Sequence, residues 1–312
     1  MVVVFPPIVR EAIIFSSLLT LLSTGLTLTY MTSRVPNFAH GSFATIGTYV
    51  SLVAFRLFSL SPYQFIPVAF VLAGVVSFIL YKAILRPLAR KGASTILLMI
   101  ATIAYDMLLI AALNITADFL SRNYKVTSRY FSLKSADIRI ENIPMVFYAA
   151  PLVTAIVIVA LYLLLTRTKF GVAMRAAIEN PSLAGVVGIN VDLVYSVSWF
   201  LAGGLAGVAG LLMALWFIGN PDLGTILLIS IFTASIVGGL MNIYGAFLGG
   251  FLVGFAEVLG TANLARAVGV WIVPYRPVIP LLILVITLLT IPGGISSIKF
   301  ERFIGRVRKG GF

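Results

Sequence analysis

The feature that most constrains this chain is a succession of long apolar runs separated by short polar segments. A helix that crosses the hydrocarbon core of a bilayer needs about 20 apolar residues, and several of these runs reach that length. Because 60% of the residues are hydrophobic and 10% are charged, lipid rather than a soluble core must solvate the apolar surface. The sequence therefore predicts an all-α, polytopic transmembrane helix bundle. The candidate spans are residues 12–31, 38–58, 65–85, 94–114, 145–166, 193–217, 225–239, 244–262 and 278–296.

Two apolar stretches contain residues that interrupt helices. Pro36 precedes Gly41 and Gly47 in the first stretch, and Gly238 is followed directly by Gly239 in the second. In transporters, such breaks give half-helices whose irregular backbone lines a cavity or is buried in protein. We therefore expect all 312 residues to form a single transmembrane domain with about eight to ten spans, some of them broken or half-helices.

Basic residues occur in short clusters between the apolar runs, and the formal net charge is +12. The clusters lie in residues 82–91, 167–175 and 299–309. Cytoplasmic loops of membrane proteins are enriched in Lys and Arg, so these clusters place the N-terminus outside and the C-terminus in the cytoplasm of a cell (plasma) membrane. Residues 116–143, which carry charges of both signs, then form a long external loop. The basic ends are expected to meet anionic lipid headgroups.

The chain lacks the sequence signatures of catalysis and of metal binding. It has no cysteine and one histidine, which argues against a thiolate or multi-histidine metal site, and it has no phosphate-binding Gly-x-x-x-x-Gly-Lys-[Ser/Thr] motif. Asp106 and Glu257 are the acidic candidates within the spans, too few for a typical proton relay. We expect neither an enzyme nor a cofactor, and no nucleic acid partner, because no basic face is interleaved with aromatic residues. A scaffold, a pore or a permease driven by a partner remains.

Segment 171–190 is the most informative part of the chain, because it predicts two short helices in a polar loop. The first helix is expected at about 172–179. Asn180 can cap the second helix, with Pro181 at its first position, and Gly188 can end it in the left-handed conformation. A short apolar helix of this kind either docks into a groove on a partner or lies flat at the lipid headgroups. The residues alone do not separate these two alternatives.

The same segment resembles the cytoplasmic coupling loop of the permeases of branched-chain amino acid ABC transporters. In that family the loop docks into a cleft of the ATP-binding subunit, so the resemblance implies that this segment contacts such a subunit. Val172 stands where the family usually has Arg, so one basic contact is absent or is replaced. The residues that fit the family pattern are Gly171, Ala173, Arg175, Ala176, Glu179, Asn180, Ala184, Gly188, Ile189 and Asn190.

Two further motifs carry the same resemblance. Residues Asn37 to Gly41 read Asn-Phe-Ala-His-Gly, which looks like the LivH-type permease rather than its LivM-type partner. Residues Phe232 to Gly239, followed by glycine pairs and Glu257, are similar to another motif of the family. The resemblance extends over roughly residues 12–297, and the ordered set of three motifs is specific to the family.

The resemblance implies the membrane-spanning permease subunit of an ATP-driven importer for branched-chain or related hydrophobic amino acids. The implied partners are two ATP-binding subunits, a second, LivM-type permease subunit, an extracellular substrate-binding protein and membrane lipid. One alternative is a permease of the same family for another small polar solute, such as urea, an amide or another amino acid. A self-sufficient secondary carrier is a further alternative, although the spans supply few charges for it.

Several residues are candidates for the translocation path or for breaks in helices. His40 either lines the path or is a neutral imidazole held by a backbone carbonyl, and we favour the second role. Glu257 must face protein or water because a carboxylate in lipid is costly. Arg266 is its candidate partner. We favour a buried polar contact that stabilises the bundle over a role for Glu257 in the translocation path. The full set of candidates is Asn37, His40, Gly41, Gly47, Gly238, Gly239 and Glu257.

Overall fold

The protein is a helix bundle with one small β-hairpin, and the structure, a computed structural model, describes residues 6–297. The basic cluster expected at 299–309 lies outside the described residues. The hairpin pairs β1 (Arg139–Ile140) with β2 (Ile143–Pro144) in antiparallel register. The helices are α1 (Pro7–Ser33), α2 (His40–Arg56), α3 (Ile66–Ile79), α4 (Arg86–Arg90), α5 (Thr95–Tyr124), α6 (Val146–Arg167), α7 (Lys169–Glu179), α8 (Pro181–Val186), α9 (Val191–Met213), α10 (Leu223–Gly238), α11 (Ile243–Val268) and α12 (Val278–Thr290).

Within residues 6–297, seven helical stretches are long and apolar enough to cross a membrane. One of them joins a 3₁₀ turn, α3, a π-helical turn and α4 into a single stretch over Pro62–Arg90. The remaining two apolar helices are shorter, with 17 residues in α2 and 16 in α10. These helices confirm the predicted all-α polytopic bundle. Seven stretches within residues 6–297 reach the length of a span, against the eight to ten expected, because the stretches around α2 and α10 give short helices. The spans are Pro7–Ser33, Pro62–Arg90, Thr95–Tyr124, Val146–Arg167, Val191–Met213, Ile243–Val268 and Val278–Ser297.

Helices α1 and α9 form the centre of the bundle. Both are largely buried, whereas α5, α6 and α12 expose most of their apolar surface. Helix α1 packs against α11, α9 and α6, and α9 packs in addition against α3 and α2. A helix that is apolar on all sides needs protein or lipid around it, so the outer helices are the ones that meet lipid or another subunit.

Two helices begin inside the bundle rather than at its ends. After α1 ends, Arg34 adopts the left-handed conformation with a φ of 56°, and the chain turns back so that α2 starts at His40, against Leu22 of α1. Helix α10 starts next to α2, where Gly224 contacts Gly41. The predicted breaks are therefore present at the start of α2 and after α10.

The glycines of α2 pack helices together rather than breaking them, which corrects the prediction for Gly47. Gly47 lies inside α2, where an added Cβ would overlap the carbonyl oxygen of Gly207 in α9. One turn away, a Cβ on Gly210 would overlap the carbonyl of Ala44. Small residues let helix backbones approach this closely in a membrane, where close packing drives helix association.

The predicted external loop is shorter than 116–143, because α5 continues to Tyr124 and ends at Lys125 with a φ of 54°. No proline or glycine interrupts this last part of α5. In the rest of the loop Arg129 makes two hydrogen bonds of 2.9 and 3.0 Å to the carboxylate of Asp118. Asp137 accepts hydrogen bonds from the Tyr63 hydroxyl and from the backbone N–H at the start of α6. These contacts order a loop that carries both signs of charge.

Substitution of Gly47 by Ala is expected to destabilise the bundle. The new methyl group meets backbone atoms of Gly207 and Leu211, which cannot rotate away as a side chain could, and overpacking of this kind costs about 1–3 kcal/mol. Gly185→Ala is the matched control, because a Cβ at this helical position meets nothing within 4 Å. Thermal unfolding of the purified protein in detergent should show a lower midpoint for Gly47→Ala only. Equal midpoints for the two variants would contradict the close approach of α2 and α9.

Candidate functional site

The basic residues of 82–91 and 167–175 lie at one end of the bundle, here called the basic end, where α1 ends and α9 begins. Asp192 in the first turn of α9 pairs with Lys82 at 2.7 Å and with Arg86 at 2.5 Å. A cavity of about 830 Å³ at this end is bordered by Arg34 and by Pro181 of α8. The clusters at 82–91 and 167–175 therefore share one end with the segment that resembles the coupling loop.

Helix α7 is folded back onto the end of α6. The Thr168 hydroxyl caps α7 by accepting a hydrogen bond from the Gly171 N–H at 3.1 Å, and Gly171 lies so close to the Leu164 and Leu165 carbonyls that a Cβ would overlap them. Arg175 donates a hydrogen bond to the Leu165 carbonyl at the end of α6. These contacts fix α7 relative to the membrane span that precedes it.

The inward face of α7 is apolar, and its outward face carries a charge. Met174 and Ala177 are buried against the bundle, and the carbonyl of Ala177 accepts a hydrogen bond from the Tyr195 hydroxyl of α9. Ala176 is half-buried and Glu179 is exposed. Arg175 and Glu179 are both exposed, but Arg175 also holds the segment in place through its hydrogen bond to the Leu165 carbonyl.

Helix α8 has the capping that the sequence predicts. The Asn180 side chain accepts a hydrogen bond from the Leu183 N–H at 3.0 Å, Pro181 is the first helical residue, and Gly188 has a φ of 86°. Helix α7 starts three residues earlier than expected, because Thr168 provides its cap. Asn190 also has a role that the sequence analysis missed, since its side chain caps α9 through the Leu193 N–H.

Helix α8 presents apolar side chains outward at the basic end. Ala184 is buried with 2% exposure, whereas the exposed fractions of Leu183, Val186 and Val187 are 60%, 84% and 69%. Ile189 is half-buried behind them. The segment therefore has an anchored side and a free apolar side, and the free side resembles an unoccupied contact surface.

The break before α2 is held by hydrogen bonds from a neighbouring helix. The Thr102 hydroxyl of α5 donates to the Pro36 carbonyl at 3.2 Å and accepts from the Phe38 N–H at 3.3 Å. The Asn37 side chain caps the turn by accepting from the Ala39 N–H. Four residues further into α5, Asp106 accepts a hydrogen bond from the Ser42 hydroxyl at 2.5 Å. Polar side chains thus satisfy backbone groups that have no helical partner, as a membrane interior requires.

His40 is fully buried at this break. Its Nε2–H donates a hydrogen bond of 2.9 Å to the Leu22 carbonyl of α1, and its ring meets the edge of Phe43. A hydrogen bond to a backbone carbonyl is the contact that the structural role requires, and the role of His40 stays a prediction.

The candidate path residues do not form one cluster. Asn37, His40 and Gly41 lie together at the start of α2, and Gly47 lies further along the same helix. Gly238 packs against Gly245 at the basic end, where Gly239 has a φ of 104° next to Ser296. Glu257 is remote from both groups, towards the end of the bundle where α1 begins.

Glu257 pairs with Arg276 rather than with the predicted partner Arg266. The Arg276 Nε lies 2.7 Å from Glu257, and its Nη1 lies 2.9 Å from Glu11 of α1, whereas Arg266 is exposed in the last turn of α11. The Arg276 guanidinium also lies over the ring of Phe15 at 4.3 Å. Arg276 lies between two prolines, next to an apolar run. A cation in this position is the sequence signal that indicates a buried acidic partner such as Glu257.

These features define the class of the protein as a multi-pass membrane protein. It has seven apolar spans within the described residues and helices that start inside the bundle. Among the same residues, no group of three or more metal-ligating side chains comes together.

The chain matches the family described as branched-chain amino acid transport system, permease component, over residues 8–288, and it belongs to that family. It is 43% identical to a probable branched-chain amino acid transport permease protein LivH of Methanocaldococcus jannaschii, over 95% of this chain and 93% of that protein. It is 27% identical to BraD of Pseudomonas aeruginosa, over 88% and 90% of the two chains, and 26% identical to LivH of Escherichia coli, over 91% and 93%. No solved structure matches the chain. The chain is thus a LivH-type membrane permease, and the family is a transport family rather than an enzyme family.

Replacement of His40 can distinguish its structural role from a role in the translocation path. His40→Gln keeps an N–H donor for the Leu22 carbonyl, whereas His40→Leu loses a buried hydrogen bond worth about 0.5–1.5 kcal/mol. Thermal unfolding in detergent should therefore show a lower midpoint for His40→Leu than for His40→Gln. Unchanged midpoints in both variants, with substrate transport abolished in both, would assign His40 to the path instead.

Proposed function

We propose that this chain is the membrane-spanning permease subunit of an ATP-driven importer for branched-chain or related hydrophobic amino acids. It would work with two ATP-binding subunits, a second, LivM-type permease subunit and an extracellular substrate-binding protein. Family membership and the names of the similar proteins support the solute class. Another small polar solute is the alternative within the same family. The observation that carries the ATP-driven part of the proposal is the exposed apolar side of α8 at the basic end.

The exposed side of α8 fits a protein groove. A short amphipathic helix binds a groove through apolar side chains spaced three and four residues apart, and Leu183, Val186 and Val187 have this spacing. Helix α8 has six residues, so its apolar face is small, and binding to a membrane surface weakens as the buried apolar area decreases. We therefore assign this face to the ATP-binding subunit, with Glu179 as a polar contact beside it.

The contacts behind α8 support transmission of movement into the bundle. Arg175 ties α7 to α6 through the Leu165 carbonyl, and Tyr195 ties it to α9 through the Ala177 carbonyl. Asn180 and Asn190 cap the helices on either side of the turn that contains Gly188. A displacement of α8 by the ATP-binding subunit then moves α6 and α9 with it, as coupling between two states of a transporter requires.

The proposed orientation places the basic end in the cytoplasm. The Lys and Arg residues of 82–91 and 167–175 lie at this end, and positive charge is retained on the cytoplasmic side of membranes. ATP-binding subunits work in the cytoplasm, so the orientation and the assignment of α8 depend on each other.

Association with the ATP-binding subunits should depend on α8. The double variant Val186→Ser/Val187→Ser is expected to reduce co-purification of these subunits at least tenfold, because each buried CH₂ group contributes about 0.8 kcal/mol. Val270→Ser is the matched control, since Val270 is 79% exposed at the opposite end of the bundle. Equal recovery of ATP-binding subunits with both variants would rule out the assigned contact.

The orientation can be read from single cysteines, because the natural chain has none. A membrane-impermeant maleimide should label Val270→Cys in intact cells and label Val187→Cys only after the membrane is permeabilised. The opposite labelling pattern would place the basic end outside and would remove α8 from the reach of any ATP-binding subunit.

A further inference from the structure

A cavity of about 210 Å³ lies near the end of the bundle where α1 begins, opposite the basic end. Its polar wall consists of Ser230, Glu257 and Arg276. Helices α1, α9, α10 and α11 all contribute residues to the wall of the cavity. The principal apolar side chains of its wall are Phe15, Met213, Phe217, Leu223 and Leu227.

The charged groups of this cavity are not fully paired with one another. One oxygen of Glu257 binds the Arg276 Nε, and the Glu257 carboxylate also interacts with the Ser230 hydroxyl, whereas Nη2 of Arg276 is buried without a hydrogen-bond partner among residues 6–297. Glu257 is 3% exposed. Leaving a charged donor unpaired is unfavourable, so the site retains one free donor on Arg276, beside a Glu257 carboxylate whose two oxygens can accept further hydrogen bonds.

We propose that this cavity binds the ammonium and carboxylate groups of an amino acid, with the substrate side chain in its apolar part. Glu257 would accept hydrogen bonds from the ammonium group, and Arg276 would donate to the carboxylate. Charge-assisted hydrogen bonds of this kind are the strongest that proteins make. The inference rests on the proposed function and specifies where the substrate binds.

The size of the cavity favours a small ligand. Pockets for drug-sized molecules measure about 300–1,000 Å³, so 210 Å³ suits a molecule with the bulk of a branched-chain amino acid. A few polar groups on one wall and apolar side chains elsewhere are the usual composition of a ligand site.

The position of the cavity also suits delivery from outside. Glu11 and Arg276, with side-chain exposures of 32% and 22%, connect it to the end that the proposed orientation places outside. A substrate released by an extracellular binding protein would arrive at this end.

Glu11 provides a matched control for Glu257. Both carboxylates pair with Arg276, but only Glu257 is among the residues that line the cavity. A merely structural ion-pair network predicts no change in ligand preference from either Glu11→Gln or Glu257→Gln, whereas a substrate site predicts a changed preference in Glu257→Gln alone.

The test uses the assembled transporter, purified without its binding protein, and measures ligand-induced stabilisation against thermal unfolding. The probes are leucine, leucinamide, which lacks the carboxylate, and 4-methylpentanoate, which lacks the ammonium group. Leucine should bind the wild type at least tenfold more tightly than either analogue. Glu257→Gln should lose the preference for leucine over 4-methylpentanoate, and Glu11→Gln should keep it. Equal ligand preferences in the two variants would overturn the proposal.

A second variant covers the case in which Glu257→Gln does not assemble. Leu227→Phe fills the cavity and leaves the three charged residues in place, so it should weaken leucine binding at least tenfold in a correctly assembled complex. Unchanged leucine binding by Leu227→Phe would overturn the proposal as well.

Uptake into proteoliposomes that contain the complete wild-type transporter separates this inference from the proposed function. If leucine uptake depends on ATP but the variants bind leucine as the wild type does, the proposed substrate site is wrong and the proposed transport function is not affected. If no hydrophobic amino acid is taken up in an ATP-dependent manner, the proposed transport function is wrong.

Discussion

Satisfaction of backbone hydrogen bonds inside the membrane is the constraint on which the structure depends. The chain turns back before α2, and the turn is possible because the Thr102 hydroxyl of α5 contacts both the Pro36 carbonyl and the Phe38 N–H. At the start of α10 the Gly224 N–H donates to the Thr45 hydroxyl. Lipid offers no such partners, so these breaks require a surrounding layer of protein, and α1 and α9 lie at its centre.

Helix α9 connects the two proposed sites. It begins at the cap provided by Asn190, directly after the segment assigned to the ATP-binding subunit, and its last residue, Met213, lines the cavity assigned to the substrate. Between these points it contacts α2 and α3 through Gly207, where an added Cβ would overlap backbone of Ala69. The two proposed sites are therefore linked by one continuous, closely packed helix.

Local features of the fold could be predicted from the sequence, and long-range ones could not. The caps at Asn180 and Gly188 depend on residues within a few positions, and local preferences are sufficient to place them. The sequence predicts Arg266, nine positions from Glu257, as the partner of Glu257. The partner in the structure is Arg276, and Arg276 also binds Glu11, which lies 265 residues away from it along the chain. From the sequence alone, Gly47 is predicted to break a helix, and only its contact with α9 shows that it packs two helices together. Pairings of this kind depend on the topology, which periodicity does not encode.

The contact of Gly47 with α9 has a consequence for how the permease can move. Backbone lies directly on backbone there, so no side chains are available to rearrange, and interfaces of this kind stay together or separate as a whole. Helices α2 and α9 should accordingly travel as one rigid block during a transport cycle. The conformational freedom then belongs to the periphery, where α5, α6 and α12 have few neighbours within the chain.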